Sequence, residues 1–82
     1  MDFTKHVKVR DEKFGSVVFE TLKEKVYVSN KTGSDILKLL REGKNEVEIV
    51  SELTKNYNCD PSAIETDVKE YITCLKQNNI LY

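Results

Sequence analysis

The chain has no tryptophan, a single proline, three glycines and two cysteines among its 82 residues. Each scarcity removes a class of protein. Gly15, Gly33 and Gly43 are too scattered to cradle a phosphate, and no GxGxxG, P-loop, GxSxG or HExxH pattern occurs. Cys59 and Cys74 fall in no CxxC or other metal-ligand spacing, so two free thiols, buried or half-buried, are expected rather than a disulfide or a metal site. The only histidine, His6, has no acidic, Cys or His partner near it in sequence and is expected as a solvated strand residue. There is no excess of charge of either sign. The 13 Lys and Arg stand against 14 Asp and Glu, which lacks the basic surplus that non-specific nucleic-acid binding depends on. No apolar run approaches the roughly 20 residues needed to span a bilayer, and the start MDFTKHVKVR has no signal-peptide core. A cytoplasmic protein with no catalytic residues, no cofactor and no membrane association is the expectation.

What is present suits a small folded domain. Apolar residues make up 39% and charged residues 33%, too hydrophobic a mixture for a disordered chain, and the length admits one domain over residues 1–82. Val7 to Arg10 alternates apolar and charged side chains like a half-buried strand, and Asp11 to Gly15 punctuates it. SVVFETL, Ser16 to Leu22, is rich in β-branched and aromatic residues. Lys23-Glu24 then separates it from KVYVS, Lys25 to Ser29, as in a hairpin whose turn type the sequence does not fix. In that third strand Val26 and Val28 share one face and Lys25, Tyr27 and Ser29 the other, and one face must meet the core.

From Asn30 the hydrophobic period lengthens to about 3.6. Asn30 can cap a helix from Lys31 to Glu42 with Ile36, Leu37, Leu39 and Leu40 as its apolar stripe and Gly43 at its end. Asn45 with Glu48 forms a variant capping box for a second helix to about Asn56, with Val47, Ile49, Val50 and Leu53 expected on its buried side. Asp60-Pro61 is the strongest start signal: a carboxylate cap precedes a proline at the first helical position. The third helix should run to Gln77 or Asn78, leaving Ile80-Leu81-Tyr82 as a short extended tail. The order βββααα defines an α+β fold in which helices pack on one face of a small antiparallel sheet.

Two surfaces exceed what a core requires. On the third helix Ile64, Val68, Ile72 and Leu75 form the core face, and beside them Asp67, Tyr71, Cys74 and Asn78 form a mixed stripe, either a shoulder of the core or the wall of a peptide groove. The third strand is an outer strand, and its free N–H and C=O groups are either a short edge blunted by Lys23 and Lys25 or a template for strand addition by another chain.

The run VYVSNKTGSDILKLLREGKNEVEIVSELTKNYNCDPSAIETDVKEYITCLKQNNIL, with the two strands before it, resembles the PqqD-like family of small peptide-recognition domains. The carrying features are the strand ending in Ser29-Asn30, the helix with Ile36 and Leu37 closed by Glu42-Gly43, the Val47-Glu48-Ile49 helix start, and the long last helix ending in Asn79-Ile80-Leu81. The resemblance covers residues 7–81. It implies a winged-helix-like domain that performs no covalent chemistry. Such a domain captures the leader of a ribosomally synthesised, post-translationally modified precursor peptide as a strand added to its own third strand, and presents it to a maturation enzyme, commonly a radical S-adenosylmethionine enzyme. By that likeness the peptide site comprises Lys25, Val26, Tyr27 and Val28 of the strand and Asp67, Val68, Tyr71, Cys74 and Leu75 of the helix. Family members can carry more basic residues at the cleft than the Lys23, Lys25 and Lys31 available here.

Two alternatives remain at this stage. A winged-helix DNA-binding protein shares the architecture, although Glu46, Glu48 and Glu52 on the second helix would face phosphates of like sign. A structural subunit could dock on an enzyme through the same surface without reading a peptide. The free edge also leaves open a monomer or an edge-paired dimer.

Overall fold

A computed structural model describes residues 2–81 of the chain. Tyr82, the expected end of the tail, lies outside them. The elements are β1 (Val7–Glu12), β2 (Gly15–Glu20), β3 (Lys25–Ser29), α1 (Lys31–Arg41), α2 (Glu46–Tyr57) and α3 (Pro61–Gln77). The sheet is antiparallel in the order β1-β2-β3, and the helices follow it, as the α+β, winged-helix-like expectation requires.

β1 runs two residues further than its alternation suggested, because Asp11 is held in register opposite Ser16, whose hydroxyl donates to the Asp11 carboxylate at 3.1 Å. His6 lies just before the strand, in an exposed turn, where its carbonyl accepts from the Thr21 N–H at 2.8 Å. β2 stops at Glu20, two residues short of the expected Leu22. The Glu20 carboxylate accepts from the N–H groups of Leu22 and Lys23, each at 3.0 Å. That folds Thr21 to Glu24 into a turn that closes with Glu24 at φ 56°, so Leu22 is 69% exposed rather than a strand residue. At the start of β2, Gly15 has φ 152° and its backbone approaches that of β3 so closely that a Cβ would sit 2.0 Å from the Ser29 carbonyl oxygen. Only glycine fits there.

The helix caps are those the sequence implies. The Asn30 side chain accepts from the Gly33 N–H at 2.9 Å. Asn45 and Glu48 exchange the two bonds of a capping box at 2.9 and 3.0 Å, and Asp60 accepts from the Ser62 N–H ahead of a helix that opens on Pro61. α2 ends on Asn58 in the left-handed region.

The core lies between the inner face of the sheet and the three helices. Val18 supplies the fully buried sheet contribution; Ile36, Leu37 and Leu40 come from α1, Ile49 and Leu53 from α2, and Ile64, Val68, Ile72 and Leu75 from α3. Val47 departs from expectation at 77% exposed, because Ile49 and Leu53 already turn the α2 stripe inward and Val47 falls on the opposite side. The tail is part of the core: Ile80 and Leu81 are 1% and 2% exposed. Asn79 at φ 59° bends the chain back, the Ile80 N–H donates to the Leu75 carbonyl at 2.9 Å, and Thr4 closes on the Ile80 carbonyl at 3.0 Å. A bridge between Phe3 and Leu81 joins the two ends of the chain.

Candidate functional site

β3 pairs with β2 along one side only, and among the described residues no strand lies on its other side. Its backbone hydrogen-bonding groups along that rim are therefore open to a further extended chain. The pleat directs Tyr27 and Ser29 toward the helices, the first half-buried and the second buried, while Val26 and Val28 point to the outer face, 58% and 70% exposed. On that outer face Phe19 is partly covered by the Arg10 guanidinium, 5.4 Å above its ring. Tyr27 and Ser29 each find a hydrogen-bond partner on α3 or its C-cap, whereas Lys25, on the same face, stays exposed at the start of the strand.

Two hydrogen bonds tie the strand to α3 and its C-cap. The Tyr27 hydroxyl donates to Asn78 Oδ1 at 3.2 Å, and Asn78 in turn donates from Nδ2 to the Cys74 carbonyl at 2.8 Å, which fixes its amide for the task. The Tyr71 hydroxyl is hydrogen-bonded to Ser29 Oγ. Gly33 of α1 lies beneath this second tie, where a Cβ would come within 3.1 Å of both the Tyr71 ring and Ser29 Cβ. Burial pushes the Tyr71 phenol above its ordinary pKa, opposed in part by the bond to Ser29.

The ties partition the space between β3 and α3 into two cavities. The smaller, about 180 Å³, is floored by Val18, Leu75 and Ile80 and walled by Tyr27, Tyr71 and Cys74. The larger, about 400 Å³, lies on the other side of Tyr71, among Val28, Asn30, Gly33, Ile36 and Asp67. Val28 and Ser29 line both, so the cleft runs along the free rim of β3.

Of the residues that the sequence put forward, Tyr27, Val28, Asp67, Tyr71, Cys74 and Leu75 come together on this cleft. Val68 does not. It is fully buried in the core, one position past Asp67 and turned inward by the helical period, and has no surface to offer a ligand. Lys25 and Val26 belong to β3 but border a separate hollow with Glu20 and Glu24 at the far end of the strand. Asn78, placed by the sequence on the mixed stripe of the helix, also lines the cleft, whereas Ser29, Ile80 and α1's Gly33 and Ile36 had not been put forward for it. A glycine in the first turn of a helix, a poor helix former at a position with no turn to make, was the available signal that something packs closely there.

Cys59 and Cys74 are both free and, contrary to expectation, both exposed: the first lies in the α2–α3 turn and the second on the mixed stripe of α3. Among the described residues no group of His, Cys, Asp or Glu could hold a metal ion, and no helix is long and apolar enough to cross a membrane.

The order of elements and the tail packed beneath the sheet define a winged-helix-like α+β domain. The family model described as coenzyme PQQ synthesis protein D (PqqD) matches residues 15–81, and the chain belongs to that family. Among solved structures it is similar to "TbiB1 in Complex with the TbiA(beta) Leader Peptide", with a TM-score of 0.93 and 25% identity over 99% of this chain and 94% of the other. It is also similar in fold to "Lasso peptide synthetase B1 complexed with the leader peptide", with a TM-score of 0.89 and 21% identity over 98% and 94% of the two chains. No curated protein sequence matches the chain.

Proposed function

We propose that this protein is a non-catalytic recognition element that captures the leader of a ribosomally made precursor peptide as a strand added to β3 and presents it to a maturation enzyme. The observation that carries the proposal is the free rim of β3 running along the cleft shared with α3. It is supported by membership of the PqqD family and by the likeness to TbiB1, which was solved in complex with the TbiA(beta) leader peptide.

Main-chain hydrogen bonds along Lys25 to Ser29 would supply affinity in any sequence context, and the cleft would supply selectivity. Side chains of an added strand alternate. Half of them would enter the cleft, against Tyr27, Tyr71, Cys74, Leu75 and Asp67, and half would rest beside Val26 and Val28 on the outer face. The rim is already in strand conformation, so the ordering cost falls on the peptide alone. The protein's own contribution is to hold and orient. Bond making and breaking belong to the partner, for which a radical S-adenosylmethionine enzyme of the cytoplasm is our first candidate. A DNA-reading role gains nothing from the surface of α2, where Glu46, Glu48 and Glu52 oppose phosphate.

The test is reconstitution of a maturation reaction with the precursor peptide and enzyme encoded beside this protein's gene. Modification should require this protein and should fall when Tyr27 and Tyr71 are both changed to Ala, provided the variant remains folded by circular dichroism. Modification at full rate in its absence would refute the role.

A further inference from the structure

Apart from main-chain pairing, the cleft has a chemistry of its own that can specify what kind of peptide it takes. The two cavities beside Tyr71 are unlike. The smaller presents Val18, Leu75, Ile80 and aromatic edges and has no formal charge on its lining. The larger has more than twice the volume and a single charged group, the Asp67 carboxylate, among otherwise neutral side chains. Asp67 forms no ion pair among the described residues, whose salt bridges are Arg10–Glu12, Arg41–Asp11 and Lys69–Glu65. Asp67 is exposed and lies four residues before Tyr71 on the same helical face. It is free to receive a cation.

Alternation sets the spacing. In a strand laid along β3, successive cleft-facing side chains are two residues apart, roughly 6.5 Å. That separation places one on each side of the Tyr71–Ser29 tie. Resting on strand addition as proposed above, we infer that the cleft selects extended peptides with an apolar side chain in the smaller cavity and a Lys or Arg two residues away in the larger one, paired with Asp67. The long aliphatic stem of either cation would fill the larger cavity past Ile36 while its head reaches the carboxylate at the rim. A peptide with an acidic residue at that position would be disfavoured by the same charge. Asp67 is then a selectivity residue and not a source of general affinity, which comes from the backbone of β3.

A displayed library of random linear peptides of about a dozen residues, roughly twice the usual strand length, tests this on the folded full chain. Selection on the unaltered protein should enrich Lys or Arg two residues from a large apolar residue. Selection on Asp67→Lys, an exposed substitution outside the core, should enrich Asp or Glu at the same spacing. Asp67→Asn should weaken an enriched basic peptide by about fivefold, the upper range for a solvent-exposed ion pair, and this loss should shrink as salt rises. Enrichment of the same peptides by the protein and by Asp67→Lys would overturn the inference. Chemical shifts separate its failure from that of strand addition. Enriched peptides that perturb the amides of Val26 to Ser29 without any charge preference would overturn the role of Asp67 alone. Peptides that leave those amides unmoved would remove both.

Discussion

Tyr71 concentrates the physics of the cleft in one side chain. Its ring separates two cavities, and its hydroxyl bridges α3 to β3 through Ser29. Replacing it by Phe keeps the ring and removes the bridge. We expect a stability loss of about 1 kcal/mol, the usual net worth of one buried hydrogen bond, measurable by urea denaturation. The phenol also links stability to alkaline pH. Burial raises its folded pKa above the ordinary 10.0, so the folded state holds the proton more tightly than the unfolded one. The stability from this preference is fully present below pH 10 and is lost as pH rises through the raised value. Tyr57 shifts in the same direction, chiefly through its hydrogen bond to Asp35. Denaturation between pH 8 and 11 should therefore show a decline that is shallower in Tyr71→Phe and shallower again when Tyr57 is also Phe. An unchanged pH profile in both variants would contradict this. At this scale the sequence was least explicit. Hydropathy favours Val26 and Val28 for the core, yet Tyr27 and Ser29 go inward to partners Asn78 and Tyr71 that lie 51 and 42 residues away in the chain, a pairing no local pattern encodes.

Elements were more legible, since their signals are local. Each helix begins on a residue whose side chain binds its own first turn, and Asn45, Glu48, Asp60 and Pro61 could be read directly. Asn45→Ala should cost about 1 kcal/mol, lowering the melting temperature by roughly 4–8 °C in a domain of this size without changing peptide affinity, because α2 contributes nothing to the cleft. The strand ends were less legible. Glu20 looks like a strand residue on the polar side, but its carboxylate is spent on the N–H groups of the following turn, which shortens β2 and exposes Leu22. Gly15 is the strictest position in the sheet. Gly15→Ala would drive a methyl group into the Ser29 carbonyl, at the junction where β3 hands over to α1, and should prevent stable folding as judged by loss of the cooperative thermal transition. Gly43→Ala, at φ 87° but with nothing within 4 Å of the added carbon, should cost only backbone strain of about 1–2 kcal/mol and leave a cooperative transition.

For the whole molecule, the fold class followed from the order of periodicities, and the family resemblance from the ordered features that accompany it. The cleft followed only in part: its β3 and α3 walls could be named, but not the entry of α1 through Gly33 and Ile36 or of the tail through Ile80, contributions set by tertiary packing. The tail also makes the two ends of the chain interdependent. Leu81→Ala removes a residue buried to 2% beside the Phe3 bridge and should cost roughly 2–5 kcal/mol, a large share of the 5 kcal/mol or so expected for so small a domain. The cleft would then loosen with the fold, so binding by any core variant has to be compared at matched fraction folded.

Amide hydrogen exchange with and without a saturating leader peptide addresses strand addition most directly, because it reads the backbone of β3 and not its side chains. Outward-facing amides between Lys25 and Ser29 should exchange rapidly in the free protein and become strongly protected in the complex, while α2 stays unchanged. Peptide binding that leaves those amides as exposed as before, with new protection confined to α2 or the outer face of the sheet, would contradict it.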